Sequence, residues 1–89
     1  MKIFYSDYAS RWCLGINIPT KLALKLQAML NICYGMGQST FQVLANQETI
    51  KFENNFNFIV SNYEKNKIEE FKPTLKKILV DYENNQKKL

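Results

Sequence analysis

Hydrophobic and polar residues alternate near the start of the chain, between residues 11 and 18. The apolar positions there are Trp12, Leu14, Ile16 and Ile18. A period of two places such side chains on one face of a β-strand, and the proline at position 19 would stop that strand. Residues 2–5 predict a second, shorter strand, which the polar loop 6–10 would join to the first.

A helical period follows, because the apolar residues from 22 to 34 recur at intervals of three and four. Thr20 is the predicted N-cap of this helix, and Gly35 or Gly37 marks its predicted C-terminal end. One side of this helix carries an apolar stripe of Leu22, Leu26, Met29 and Cys33, which is widened by Ala23, Leu30 and Tyr34. A second side is also apolar and carries Leu24, Ala28 and Ile32. Such a helix is either enclosed by its own domain or shared with a partner. We expect enclosure, because small domains need every apolar helix for their core.

Alternation with a period of two returns between residues 41 and 60. Its apolar positions are Phe41, Val43 and Ala45, then Ile50 and Phe52, then Phe56, Phe58 and Val60. A two-residue loop at 46–47 would pair Val43 with Ile50 and Phe41 with Phe52 on one face. A three-residue loop at 53–55 would then set Phe52 against Phe56. The segment therefore predicts a three-stranded antiparallel meander.

The C-terminal third has the pattern of a long amphipathic helix. Its apolar stripe is Ile68, Phe71, Leu75, Ile78 and Tyr82. Residues 61–64 have the form of a capping box, and Asn66 with Glu69 offers a second start. Pro73 lies opposite the apolar stripe, and its missing N–H predicts a kink or a break near residues 71–74.

These elements predict an α+β fold within a single small domain that spans residues 1–89. The sheet is antiparallel and consists of the meander plus one or two N-terminal strands. Two helices pack on one of its faces.

The composition excludes most catalytic and metal chemistry. The 89 residues include no histidine and only two cysteines, Cys13 and Cys33. Histidine-dependent nucleophiles and histidine-ligated metal sites are therefore absent, and the cysteines are too few for a zinc site within one chain. Catalysis by Arg11 with the nearby tyrosines would rest on a single cationic side chain. We expect a protein that is not an enzyme and that uses neither a cofactor nor a metal.

The N-terminus does not have the continuous apolar core of a secretory signal peptide. The most apolar stretch, residues 22–34, is shorter than the roughly 20 residues that a membrane span needs. We therefore expect a cytoplasmic protein without a membrane partner. Its two thiols are expected to be reduced, with a disulfide between them as the alternative.

Charge suggests one candidate function. Twelve basic residues against eight acidic ones give a net charge of +4, and eleven of the twelve are lysines. From residue 20 onward, the predicted α-β-β-β-α order resembles double-stranded RNA-binding domains, which implies recognition of A-form shape. The candidate phosphate contacts are Lys65, Lys67, Lys72, Lys76 and Lys77. Pairs such as Lys65 and Glu69, however, stand four residues apart, which is typical of an ordinary solvated helix.

Aromatic residues suggest the function that we favour. Tyr5, Tyr8, Arg11 and Trp12 lie in one short segment, and Tyr, Trp and Arg are enriched in interface hot spots. We therefore expect a small protein-binding module whose partner is a host or cognate protein. In size and composition it is similar to phage- or plasmid-encoded inhibitors such as anti-CRISPR proteins, which implies steric occlusion of a host factor. The apolar helix 20–34 would also suit a homodimer.

Overall fold

A four-stranded sheet and two helices make up the part of the chain that the computed structural model describes, residues 1–45 and 55–87. The elements are β1 (Lys2–Ser6), β2 (Arg11–Ile16), α1 (Thr20–Cys33), β3 (Gln42–Ala45), β4 (Phe58–Asn62) and α2 (Lys65–Lys87). All strand pairs are antiparallel, in the order β1-β2-β4-β3. The predicted α+β class is confirmed.

The main core lies between the sheet and both helices. α1 packs on β3, and α2 packs on β2 and β4. Alternation along the strands places Leu14, Val60 and Val43 opposite one another on the helix-covered face. The buried members of this core are Leu14, Ala23, Leu26, Leu30, Met36, Val43, Phe58, Val60, Ile68, Phe71 and Leu75.

The two N-terminal strands form a hairpin, as their pattern predicts. Ile3 pairs with Leu14 and Tyr5 with Trp12, so their side chains share the helix-covered face. Residues 7–10 form the turn, in which Ser10 adopts a left-handed conformation with φ 56°. Because β2 pairs with both β1 and β4, this hairpin is joined to the centre of the sheet.

The middle strand of the predicted meander, with Ile50 and Phe52, lies outside the described residues. β3 pairs directly with β4, and Val43 stands opposite Val60. The loop predicted at 46–47 and the first two residues of the loop predicted at 53–55 also lie outside the described residues, whereas Asn55 is described and has a left-handed φ of 62°.

The prediction that Phe56 shares a face with Phe58 and Val60 is wrong. Asn57 interrupts the alternation because its side chain bonds the backbone N–H and carbonyl of Ile18. β4 begins after it, at Phe58, and the Phe56 ring lies on the opposite face of the sheet. There it stacks on Phe4 with a centroid separation of 5.8 Å. It also covers Gly15, where an added Cβ would stand 2.3 Å from a ring carbon.

Helix α1 agrees with the pattern on its buried side only. It starts at Thr20 itself, with Pro19 at the N-cap position and no side-chain cap, and it ends before Gly35, whose φ is 67°. Cys33, predicted in the buried stripe, is exposed. The expected enclosure of the second side is also wrong, because Ala28 is exposed and Ile32 is 80% exposed.

Helix α2 runs without a break from Lys65 to Lys87, through Pro73. The expected break at 71–74 is absent because buried Phe71 and Leu75 hold the chain against the sheet on either side. Pro73 itself is exposed, so the carbonyl that loses its helical N–H can be solvated. Both predicted starts of this helix were wrong. Ser61 belongs to β4, and the helix begins at Lys65, before Asn66. Among the described residues, no helix is long and apolar enough to cross a membrane.

Candidate functional site

Exposed aromatic residues collect at one end of the sheet. The turn between β1 and β2 lies there, and Tyr63 follows the last residue of β4 at the same end, since Asn62 pairs with Trp12. Tyr8 is 98% exposed, Tyr63 65% and Tyr5 45%. We call Tyr5, Tyr8, Trp12 and Tyr63 together the aromatic end, in which Tyr5 and Trp12 belong to the helix-covered face and Tyr63 lies over Arg11 on the other face.

Tyr5 and Trp12 form one half of the aromatic end. Their rings meet edge to face with centroids 5.2 Å apart, as expected for directly opposed residues of paired strands. The Lys65 ammonium, at the start of α2, stands 4.8 Å from the centre of the Trp12 ring. It also lies 3.9 Å from the Glu69 carboxylate. The two candidate sets from the sequence, aromatic and basic, therefore meet at Trp12 and Lys65.

Arg11 lies beneath the other half and is buried, with 9% of its surface exposed. Its Nε donates to Ser61 Oγ at 2.9 Å, and one terminal nitrogen donates to the carbonyls of Thr40 at 2.5 Å and Ser61 at 3.1 Å. The guanidinium also lies 4.2 Å from the centre of the Tyr63 ring. Arg11 therefore joins β2, β4 and the segment before β3, and it supports Tyr63 from below.

Asn62 fixes the backbone on which Tyr63 stands. Its side chain is fully buried. The amide nitrogen donates to Thr40 Oγ1 at 3.0 Å, and the amide oxygen accepts the N–H of Glu64 at 2.9 Å. An Asx turn of this kind holds a tight bend. Tyr63 is thus an exposed side chain on a hydrogen-bonded turn.

A shallow groove of about 540 Å³ adjoins Tyr63 and the hairpin turn. Its lining residues are Ala9, Arg11, Ser39, Thr40, Phe41, Gln42 and Tyr63. Because Arg11 forms one wall, a partner side chain entering this groove would meet cationic and aromatic groups together.

The five candidate phosphate-binding lysines do not share one face of α2. Successive residues of a helix are rotated by about 100°. Lys65, Lys72 and Lys76 therefore lie on one side of the apolar stripe, and Lys67 lies on its other side. Lys77 lies between these two positions, on the side of the helix away from the stripe. Glu69 stands within the first group and pairs with Lys65. This arrangement is that of a mixed, solvated helix surface.

A second groove, of about 290 Å³, separates the two helices. Leu22, Leu26, Met29, Tyr34, Ile78, Leu79 and Tyr82 supply most of its lining, with Lys25, Asp81 and Asn85 as its polar members. Among the described residues there is no cluster of three or more His, Cys, Asp or Glu side chains that could hold a metal ion. Cys13 is buried, Cys33 is exposed, and the two are not bonded to each other.

The structure thus changes the assignment of one predicted site residue, Arg11. Tyr5, Tyr8 and Trp12 do lie at the same end of the sheet, but Arg11 is buried and its guanidinium packs against the Tyr63 ring. The candidate site chosen from the sequence did not include Tyr63. Its place beside Arg11 depends on the pairing of β2 with β4, which joins residues about fifty positions apart.

No protein-family model, curated protein or solved structure matches this chain at a significant level.

Proposed function

We propose that this protein is a non-enzymatic binding module that recognises another protein through the aromatic end. One observation carries the proposal: three exposed tyrosines stand at one end of a rigid sheet, one of them over a buried arginine. In its finer form, the module occludes a surface of a host factor and so inhibits it.

The chemistry of the aromatic end suits protein recognition. Tyr and Trp offer large contact areas and lose little conformational entropy on binding, since each has only two side-chain torsions. Tyr63 is already held by Arg11 and the Asn62 turn, so ordering it in a complex costs less than ordering a free side chain. Tyr8, on the hairpin turn, would be a protruding anchor.

Nucleic-acid binding is the competing function, and it receives less support. The position of the Lys65 ammonium over the Trp12 ring favours it, because nucleic-acid sites combine cationic and aromatic side chains. The remaining candidate lysines are divided between two sides of α2, so a phosphate backbone tracking one side would meet only some of them.

The test is an affinity capture from cell lysate in three forms: wild type, the Tyr8→Ala/Tyr63→Ala double variant, and Tyr34→Ala. Tyr34 is a matched control because it is a 52% exposed tyrosine outside the aromatic end. Each capture is run with and without nuclease, and the affinity for the captured protein is then measured. We expect the double variant to lose at least about 2 kcal/mol of binding free energy, whereas Tyr34→Ala retains it.

Two results would contradict the proposal. Equal affinity of the wild type and the double variant would place the binding surface elsewhere. Material that disappears with nuclease, and whose binding weakens steeply with salt, would identify the ligand as nucleic acid.

A further inference from the structure

The two edges of the sheet are protected to different degrees. β3, at one edge, is only four residues long, and the Gln27 side chain of α1 donates to the Val43 carbonyl at 3.0 Å. β1, at the other edge, is five residues long, and within the described ranges it pairs with β2 alone. An edge strand carries backbone groups that face away from the sheet and can accept another strand.

The sequence of β1 does little to prevent such pairing. It contains no proline, and its single charged residue, Lys2, stands at its first position. Its central residues, Ile3, Phe4 and Tyr5, are all of types that favour strands. Tyr5 is 45% exposed although it belongs to the helix-covered face, so part of an aromatic ring is left open beside this edge.

The order of residues in β1 suits antiparallel pairing with itself. If Phe4 of each copy lies opposite Phe4 of the other, Ile3 falls opposite Tyr5 twice, on the helix-covered face. A β-branched residue opposite an aromatic one is among the stabilising cross-strand pairs.

The charges fit the same register. Lys2 of each copy falls opposite Ser6 of the other, directly before Asp7. Lys2 and Asp7 are both exposed, and neither forms an ion pair within the described part of the chain. The two positive charges are thus kept apart, and each approaches an acidic residue.

From these features we infer that β1 is a self-association edge, through which a second copy of this chain extends the sheet to eight strands around a two-fold axis. Two five-residue strands bury a small interface, so the association is weak, with a Kd in the micromolar to millimolar range. The hairpin turns would lie at opposite ends of the shared edge. The dimer would therefore present Tyr8 and Tyr63 twice, facing in two directions.

Analytical ultracentrifugation from about 10 µM to about 1 mM tests this inference on four proteins: wild type, Tyr5→Lys, Tyr5→Phe and Ile32→Lys. We expect a dimer in the wild type and in Tyr5→Phe. Tyr5→Lys should raise the dimer Kd at least about tenfold, because a lysine on an edge opposes strand addition. Ile32→Lys, which places the same charge on the exposed side of α1, should change Kd by less than about twofold.

Hydrogen exchange of the unmodified protein provides a second measurement, which does not depend on how Tyr5→Lys folds. Backbone amides within β1 should become more protected as the concentration rises, whereas amides of β3 should not. A wild type that stays monomeric throughout would overturn the inference. So would a dimer that Ile32→Lys dissociates and Tyr5→Lys does not. The Tyr8→Ala/Tyr63→Ala variant should dimerise like the wild type, so this test and that of the proposed function can fail separately.

Discussion

The two faces of the sheet are stabilised in different ways. On the helix-covered face, both helices and three strands contribute to one apolar core, in which Leu14, Phe58 and Val60 have no exposed surface. The outer face carries two smaller clusters side by side. One is apolar and contains Phe4, Cys13, Ile59 and Phe56; the other is polar and is centred on Arg11 and Ser61.

This difference concerns both the stability of the fold and the proposed function. The helix-covered face needs apolar side chains of suitable size, and the hydrophobic effect has no direction. The outer face needs particular residues in particular geometry: a glycine beneath the Phe56 ring, and an arginine whose planar group reaches three acceptors. The polar cluster also contacts Tyr63, the member of the aromatic end whose ring lies over Arg11.

The largest loss of stability is expected from Phe58→Ala, on the helix-covered face. Phe58 is fully buried in the main core, so its truncation removes apolar burial and leaves a cavity. We expect the free energy of unfolding to fall by about 4 kcal/mol, as measured by urea denaturation followed by circular dichroism. A loss below about 1 kcal/mol would show that this face does not dominate stability.

Arg11→Ala should cause the next largest loss of stability, and it should also disturb the aromatic end. It leaves the buried carbonyl of Ser61 without its arginine donor and removes the support of Tyr63. We expect a loss of about 3 kcal/mol in unfolding free energy, since each unsatisfied buried group costs about 1–3 kcal/mol.

Arg11→Lys is the matched variant, because it keeps the charge but cannot reproduce the planar fork. It should recover less than half of that loss. Full stability in Arg11→Lys would mean that charge alone, rather than the hydrogen bonds to Ser61 and Thr40, holds the polar cluster together.

Gly15→Ala is expected to have the smallest effect, about 1–2 kcal/mol, because an added methyl group overpacks the small apolar cluster. The added Cβ would stand 2.3 Å from the Phe56 ring, so the ring must move. Phe56→Leu in the same chain should relieve the clash, which makes the double variant more stable than the sum of the two single losses predicts. Additive losses would contradict direct contact between these positions. Thermal unfolding of the wild type, the two single variants and the double variant measures this coupling.

How far the sequence predicts this protein depends on the range of the interactions. The alternation in β2 correctly placed Leu14 in the main core, and the helical stripe did the same for Ile68, Phe71 and Leu75, because a period of two or of 3.6 directly reports which face is apolar. Phe56 was misassigned because the bend at Asn57 depends on hydrogen bonds to residues 17 and 18, about forty positions away. No local pattern contains such a contact.

The range of the interactions also decides which residues of the candidate site could be predicted. Tyr5, Tyr8 and Trp12 could be chosen from the sequence, since neighbours in a hairpin remain neighbours in space. Whether Arg11 faced solvent or the interior could not, because arginine suits both an exposed contact and a buried, fully bonded position. The pairing of β2 with β4, which brings Ser61 and Tyr63 to Arg11, decided it.

The sequence by itself therefore determined the α+β class, the hairpin, the central buried residues of both helices and the absence of histidine. These follow from composition and from periodicity within single elements. Only the tertiary structure decided that Arg11 is internal, that Tyr63 joins the aromatic end and that β1 is an edge strand of the described sheet. Each of these depends on which strands become neighbours, and strand order is set by contacts between distant segments rather than by the pattern within any one of them.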